Sequence, residues 1–287
     1  MSSSIIKNFQ STSTKGPEKR LLVAWYGDDF TGAAAVMEVL TFAGLPSILF
    51  LDVPTKEQLS KFPDLCGIGV ASTARAQSPA WMSANLPDVF AGLGALKPQI
   101  LHYKVCSTLD SSPETGSIGR AIEIGADSMG SDTVPVVIAA PQMRRYQCVG
   151  HLFAGVADRV VRLDRHPVMS RHPVTPMTES DVALHIAKQS TRIETQLLSL
   201  DQLGTEGYRP APENRPNDDR IKIVSIDSVD ADSDAAAGRM VWENREQGPF
   251  VVGSQGVEYA LVEHWRRSGQ LAAVDPPAGI GRSKGMM

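Results

Sequence analysis

Two adjacent carboxylates, Asp28 and Asp29, follow the continuously apolar run Leu21 to Tyr26 and a single glycine, Gly27. An apolar run this short predicts a strand covered on both faces rather than a buried helix. The acids then fall in a strand-to-helix loop at the carboxyl edge of a parallel sheet, where open α/β folds collect ligands. Thr31 and Gly32 come next, and a helix starting near them would offer free backbone N–H groups to an anion. A plainer account makes one acid an N-cap and leaves the other in solvent. The position directly after a buried strand favours a site.

A second group lies in HYKVCSTLDSSPETGSIG, His102 to Gly119: Lys104, Ser107, Thr108, Asp110, Ser111 and Ser112, with Pro113, Gly116 and Gly119 close behind. A cation, several hydroxyls and exposed amides on a strand exit could hold a carboxylate or a polyol. The same composition suits a hydrophilic turn that caps the next helix. Cys106 reads as a small buried packing residue, because sequence assigns it no basic partner. A third group lies in APQMRRYQCVGHLFA, Ala139 to Ala154. There Arg144 and Arg145 could grip an anion with guanidinium forks, and Tyr146 adds a planar wall and a hydroxyl. Paired arginines are also common on solvated surfaces. His166 and His172 stand beside prolines in DRHPVMSRHPVTPM, Asp164 to Met177. Their spacing is not a metal signature, so no metal site is expected there. The long irregular segment, stiffened by Pro167, Pro173 and Pro176, suits structural or lid roles.

These loops need a scaffold that brings them to one edge. Strand-like runs recur at Ile48 to Leu51, Gly67 to Ala71, Ile100 to Val105, Val134 to Ala140, Ile221 to Ile226 and Phe250 to Gly253. Helix-length segments alternate with them at Ala33 to Ala43, Trp81 to Leu96, Ile118 to Ile124, Glu179 to Leu198, Ala231 to Asn244 and Glu258 to Ser268. The alternation predicts an α/β fold: a mostly parallel, doubly wound (Rossmann-like) sheet with helices on both faces. Residues 1–19 are Ser/Thr-rich and aperiodic and read as a disordered leader, 20–270 as the folded domain, and 271–287 as a Pro/Gly-rich tail.

A net charge of −4 over 287 residues gives no basic face for nucleic acid. No apolar stretch approaches the roughly 20 residues of a membrane span and no signal-peptide core stands at the N-terminus, which points to the cytoplasm. Cys66, Cys106 and Cys148 are odd in number and widely spaced, so neither a disulfide framework nor a zinc site is indicated. No GxGxxG follows the first strand, which argues against a nicotinamide-dependent oxidoreductase.

The combined order of motifs resembles the N-terminal, substrate-binding part of the four-carbon acid sugar kinase family, from Leu21 to roughly Arg267. The landmarks are GDDFTGA at Gly27 to Ala33, Arg75 in ASTARAQSP, KVCSTLDSSPETGSIG from Lys104, AAPQMRRYQCVGHLFAG from Ala139, HPVTPMTESDVALHI from His172 and VVGSQGVEYAL from Val251. The Arg75 segment ASTARAQSP and the segment AAPQMRRYQCVGHLFAG from Ala139 look especially similar in form to the branch that phosphorylates 3-oxo-isoapionate. The resemblance implies ATP-dependent transfer of phosphate to a hydroxyl of a small sugar acid, with Mg2+, in a cleft between two domains, of which residues 20–270 would be the acid-binding one. It implies that one of Asp28 and Asp29 accepts the proton of the attacking hydroxyl while the other orients the polyol. It also implies that Arg75, Lys104 and Arg145 neutralise the substrate carboxylate and part of the phosphoryl charge, and that Ser107 and Thr108 hydrogen-bond the polyol.

The chain departs from the family pattern in several places. Ala33, Ala34 and Ala35 run together where a polar or acidic residue is common, Ala74 replaces a serine, and Arg144 stands where glycine usually precedes the arginine, with a side chain expected to crowd the ligand. In the family a second domain after the GSQG-type strand supplies the ATP site. This sequence stops at Met287 without a P-loop, so the ATP and Mg2+ site is expected outside this chain, on a separate nucleotide-binding chain or lost. The alternative function is a non-catalytic sugar-acid binding module, the remnant of an enzyme. A homo-oligomer is compatible with either.

Overall fold

The computed structural model describes residues 20–203 and 219–272. The expectations for residues 1–19 and 273–287 lie outside the described residues. The first apolar run forms β1 (Val23–Gly27), buried along its whole length. The chain then alternates through α1 (Phe30–Phe42), β2 (Ser47–Phe50), α2 (Lys56–Ser60), β3 (Gly67–Ala71), α3 (Pro79–Gly94), β4 (Ile100–Lys104), α4 (Ile118–Met129) and β5 (Thr133–Val137). After β5 it leaves the sheet as a meander of β6 (Arg145–Cys148), β7 (His151–Val156) and β8 (Arg159–Arg162). Two short 3-10 turns lead to α5 (Val182–Ala187), β9 (Ile193–Leu198), α6 (Leu200–Leu203), β10 (Ile221–Ile226), α7 (Ala231–Asn244), β11 (Phe250–Gly253) and α8 (Gly256–Arg267).

Eight strands form one sheet in the order β2-β3-β1-β4-β11-β5-β10-β9, and every pairing in it is parallel. Alternation along each strand divides the apolar side chains between two cores. Ala24, Tyr26, Leu101 and Tyr103 pack with α3, α4 and α5, whereas Val23, Trp25, Ile100 and Val251 pack with α1, α7 and α8. The expected doubly wound sheet is therefore present, with helices on both faces. Among the described residues no helix is long and apolar enough to cross a membrane.

Two expectations are corrected. The single helix read over Glu179 to Leu198 is two elements. Asp181 caps the short α5 by accepting from Leu184 N–H, and the β-branched residues Ile193 and Thr195 then enter β9, which adds to the sheet beside β10. The stretch Ala139 to Ala154, read as a site loop, instead enters the antiparallel sheet β6-β7-β8, and the irregular segment after it carries two 3-10 turns.

The packing under β1 leaves no room for one added methyl. A Cβ on Gly69 of β3 would lie 2.1 Å from Cε2 and 2.3 Å from Cζ2 of Trp25, a fully buried indole anchored by its Nε1–H to the Ala33 carbonyl at 3.0 Å. Gly69→Ala is expected to lower the unfolding free energy by about 2 kcal/mol, read as a shift of the urea midpoint at unchanged slope.

Candidate functional site

Strand register sets out the site. Ala71, Gly27, Lys104 and Gly253 pair in sequence across β3, β1, β4 and β11, and Gly253 pairs onward with Val137 of β5. The loops that follow these residues leave the sheet along one line. β1 and β4 are neighbours whose connections run opposite ways, β1 outward to β2 and β4 across to β5. A crevice opens at such a switch of direction.

Both acids sit at its mouth, in different states. Asp28 is 2% exposed, and its carboxylate takes a bidentate fork from Arg75: Nε to Oδ2 at 3.1 Å and Nη2 to Oδ1 at 2.7 Å. Arg75 is held in turn by its own N–H, which donates to the Asp28 carbonyl at 2.9 Å. Asp29 is the N-cap of α1, accepting from Gly32 N–H at 3.0 Å, and the same Oδ1 takes Arg75 Nη2 at 2.7 Å. Burial pushes the Asp28 carboxyl up, and the Arg75 hydrogen bonds pull against that rise. Burial works most strongly against the Arg75 charge, but the Asp28 hydrogen bonds together with the nearby negative charges outweigh it and the guanidinium holds its proton more tightly than usual.

Lys104 ends β4 with its ammonium buried, donating to the Val105 carbonyl at 2.7 Å. Burial lowers its proton affinity, and Asp28 acts most strongly in the other direction. A Cβ on Gly32 would stand 2.3 Å from Asp29 Oδ1 and 2.8 Å from Lys104 Nζ, so the glycine lets carboxylate and ammonium close over the first turn of α1. On the same face of β4 as Lys104, His102 places Nδ1 2.7 Å from Glu258 Oε1 and Nε2 3.1 Å from the Gly253 carbonyl. That carbonyl also accepts Val105 N–H at 2.7 Å, which ties the exit of β4 to the first turn of α8.

Cys106, Ser107 and Thr108 are partly exposed at the start of the next loop, with Cys106 Sγ 3.1 Å from Thr108 Oγ1. Cys106 is thus not the buried packing residue expected. It lies within electrostatic reach of Arg75, Lys104 and Arg145, so the three cations border the same region of the sheet edge.

Arg145 opens β6 and reaches the same crevice from the other side. Burial lowers its proton affinity, its Nη1 donates to the Met143 and Arg144 carbonyls at 3.2 Å, and its Nε is buried without a hydrogen-bond partner. Arg144 does not join it. The residue adopts the left-handed conformation, φ 57°, at the end of a 3-10 turn, and its exposed guanidinium donates to the carbonyls of Ala157 and Arg159 at 2.6 and 3.0 Å. Glycine would adopt that φ without strain, and the Arg144 side chain, expected to crowd a ligand, turns to the β7–β8 turn.

The remaining expected groups have supporting work. His166 Nδ1 accepts from the N–H groups of Val168 and Met169, and His172 Nδ1 from Thr175 N–H, so both cap turns of the segment. Thr175 Oγ1 bonds Asp110, fastening that segment to the loop after β4. Among the described residues no group of three His, Cys, Asp or Glu side chains is placed to hold a metal ion. Sequence reasoning missed Asp227 and Gln147. Asp227, fully buried after β10, accepts from the N–H groups of Val149 and Gly150 at 2.6 and 2.9 Å and from Gln147 Nε2 at 3.2 Å, fixing the hairpin that begins with Arg145. Its place at a strand exit, like that of Asp28, was the available signal.

The model of the sugar-binding N-terminal domain matches residues 23–261. A 3-oxo-isoapionate kinase of Paraburkholderia graminis is 48% identical over 275 residues, which cover 92% of this chain and 57% of that protein. A 3-oxo-tetronate kinase of Pseudomonas savastanoi is 29% identical over 268 residues, 93% of this chain and 59% of that protein. The chain thus spans somewhat more than half the length of these relatives. A crystal structure from Haemophilus influenzae superposes with a TM-score of 0.68 at 23% identity, covering 86% of this chain and 56% of that one. One from Salmonella typhimurium, described as a putative tRNA synthase, gives 0.70 at 22% identity over 87% and 56%. Both share the fold. With its motifs in order and its whole sheet inside the matched region, this chain belongs to the sugar-binding N-terminal domain family of the four-carbon acid sugar kinases.

Proposed function

We propose that this chain is the acid-binding half of an ATP-dependent sugar-acid kinase, taking a four-carbon or 3-oxo-isoapionate-type acid. The observation that carries the proposal is the charge balance of the crevice. Among the described residues Arg75, Lys104 and Arg145 border the region around Cys106, Asp28 and Asp29 are the carboxylates that meet Arg75, and Arg145 Nε has no hydrogen-bond partner. A buried donor without a partner is costly, and a substrate carboxylate would supply both the missing acceptor and the missing charge. Ser107 and Thr108, partly exposed beside this point, would hydrogen-bond the polyol.

In the reaction, the acid's hydroxyl oxygen gains the terminal phosphoryl group of ATP, ADP leaves, and the hydroxyl proton passes to a carboxylate of the Asp28–Asp29 pair. Magnesium would come with the nucleotide's phosphates, and the ATP site would lie outside the described residues. The high identity to a 3-oxo-isoapionate kinase supports a 3-oxo acid as the substrate.

Calorimetry against D-erythronate, D-threonate and 3-oxo-isoapionate, and then against Mg-ATP, tests this. Saturable binding of an acid without ATP binding is the expected result, and failure of all three acids to bind at millimolar concentration would overturn the proposal. Arg145→Ala is expected to weaken acid binding by about tenfold or more, as for a lost charge-assisted hydrogen bond, whereas Arg144→Ala leaves it within about twofold. Gly32→Ala, whose methyl would displace Asp29 or Lys104, should reduce binding by about tenfold or more while the helix it starts gains rather than loses propensity. Thermal melts of the three variants separate loss of site from loss of fold.

A further inference from the structure

We infer that the paired acids are not equivalent: Asp29, through Oδ2, is the carboxylate that touches the acceptor hydroxyl of the sugar acid, and Asp28 is a positioning residue that acts through Arg75 without contacting substrate. The inference rests on the sugar-acid reading above and settles which of the two acids faces the ligand.

Occupancy of the four carboxylate oxygens separates the roles. Both Asp28 oxygens are engaged by the Arg75 fork, and the Asp28 side chain is 3% exposed. Arg75, 21% exposed, is the more accessible member of the pair. Asp29 is 29% exposed, and its Oδ1 already takes two donors, Gly32 N–H and Arg75 Nη2, which fills the two lone pairs of that oxygen. Among the described residues its Oδ2 accepts no hydrogen bond. Asp29 therefore presents one fixed, open acceptor, aimed by two bonds to its other oxygen.

The same bonds make a clean test possible. In Asp29→Asn, Gly32 N–H and Arg75 are both donors and demand the amide oxygen, so the NH2 group must take the place of Oδ2. The variant keeps the helix cap and the arginine contact, turns the acceptor at the open position into a donor and removes the carboxylate charge, so the ratio between parent and analogue, not the absolute affinity, is the readout. Asp28→Asn weakens the fork and loosens Arg75 but leaves Asp29 Oδ2 in place.

Calorimetry of the full chain with D-threonate and D-erythronate, and with analogues of each lacking one hydroxyl at a time, reads the coupling directly, with melting temperatures measured in parallel. The wild type is expected to bind one deoxy analogue about tenfold or more weakly than its parent, the loss of a hydrogen bond to a charged acceptor. Asp29→Asn should bind parent and that analogue alike. Asp28→Asn should bind all of them more weakly yet keep the ratio between parent and analogue. The inference is overturned if Asp29→Asn keeps the wild-type ratio, if Asp28→Asn erases it at an unchanged melting temperature, or if the wild type makes no distinction; in each case acid binding itself still stands. No binding of any acid by the wild type removes the sugar-acid reading and this inference together. Should Asp28→Asn not fold, the ratio in Asp29→Asn alone decides.

Discussion

Every distance in the crevice depends on one ion pair, the fork from Arg75 to Asp28. A carboxylate that far from water is costly unless a cation with matching geometry meets it, and a planar guanidinium meets both oxygens at once. The pair joins the loops that leave β1 and β3, and Arg75 Nη2 extends the link to Asp29 at 2.7 Å. Three side chains and two loops thus behave as one rigid body at the sheet edge. Lys104 is then drawn in from β4, its buried charge offset by Asp28 and its ammonium stopped against the backbone of Gly32.

The opposite wall has a different origin. Arg145 belongs to a small antiparallel sheet outside the main one, and that sheet is positioned by its bridge between Gln147 and Ser228 and by the carboxylate of Asp227. One wall of the crevice therefore inherits its geometry from the central strands, the other from the end of β10.

Much of this was legible in the sequence because burial leaves a strong imprint. Continuous apolar runs marked the parallel strands, and the acids beside the first of them marked the switch of direction. What stayed hidden was conformation and distance. Nothing in ASTARAQSP indicates that Arg75 reaches back to Asp28; family likeness alone singled out the residue, and it did so as a partner of the substrate's charge. Arg144 looked like a partner for Arg145 because a left-handed backbone angle has no signature in residue type when the residue is not glycine. The strands of the meander are four to six residues long and carry arginines at their ends, so their pattern is too brief to distinguish them from loop. Helix and strand were confused between Glu179 and Leu198 because a short helix and a strand together occupy the length of one ordinary helix. His102 did carry a signal, since a histidine inside an otherwise apolar strand requires a buried partner, but the partner, Glu258, lies 156 positions away.

The strand order has a consequence for synthesis. β11 is the last strand of the sheet to leave the ribosome, yet it lies between β4 and β5, near the middle. Until it emerges, those two strands have no shared neighbour, and the nascent chain holds two incomplete half-sheets with open edges facing each other. Insertion of four residues, Phe250–Gly253, closes that gap and at the same moment brings Gly253 against Lys104 and Val137. Assembly of the crevice and completion of the sheet are one late event, and the growing polypeptide has no preformed binding edge to offer before it.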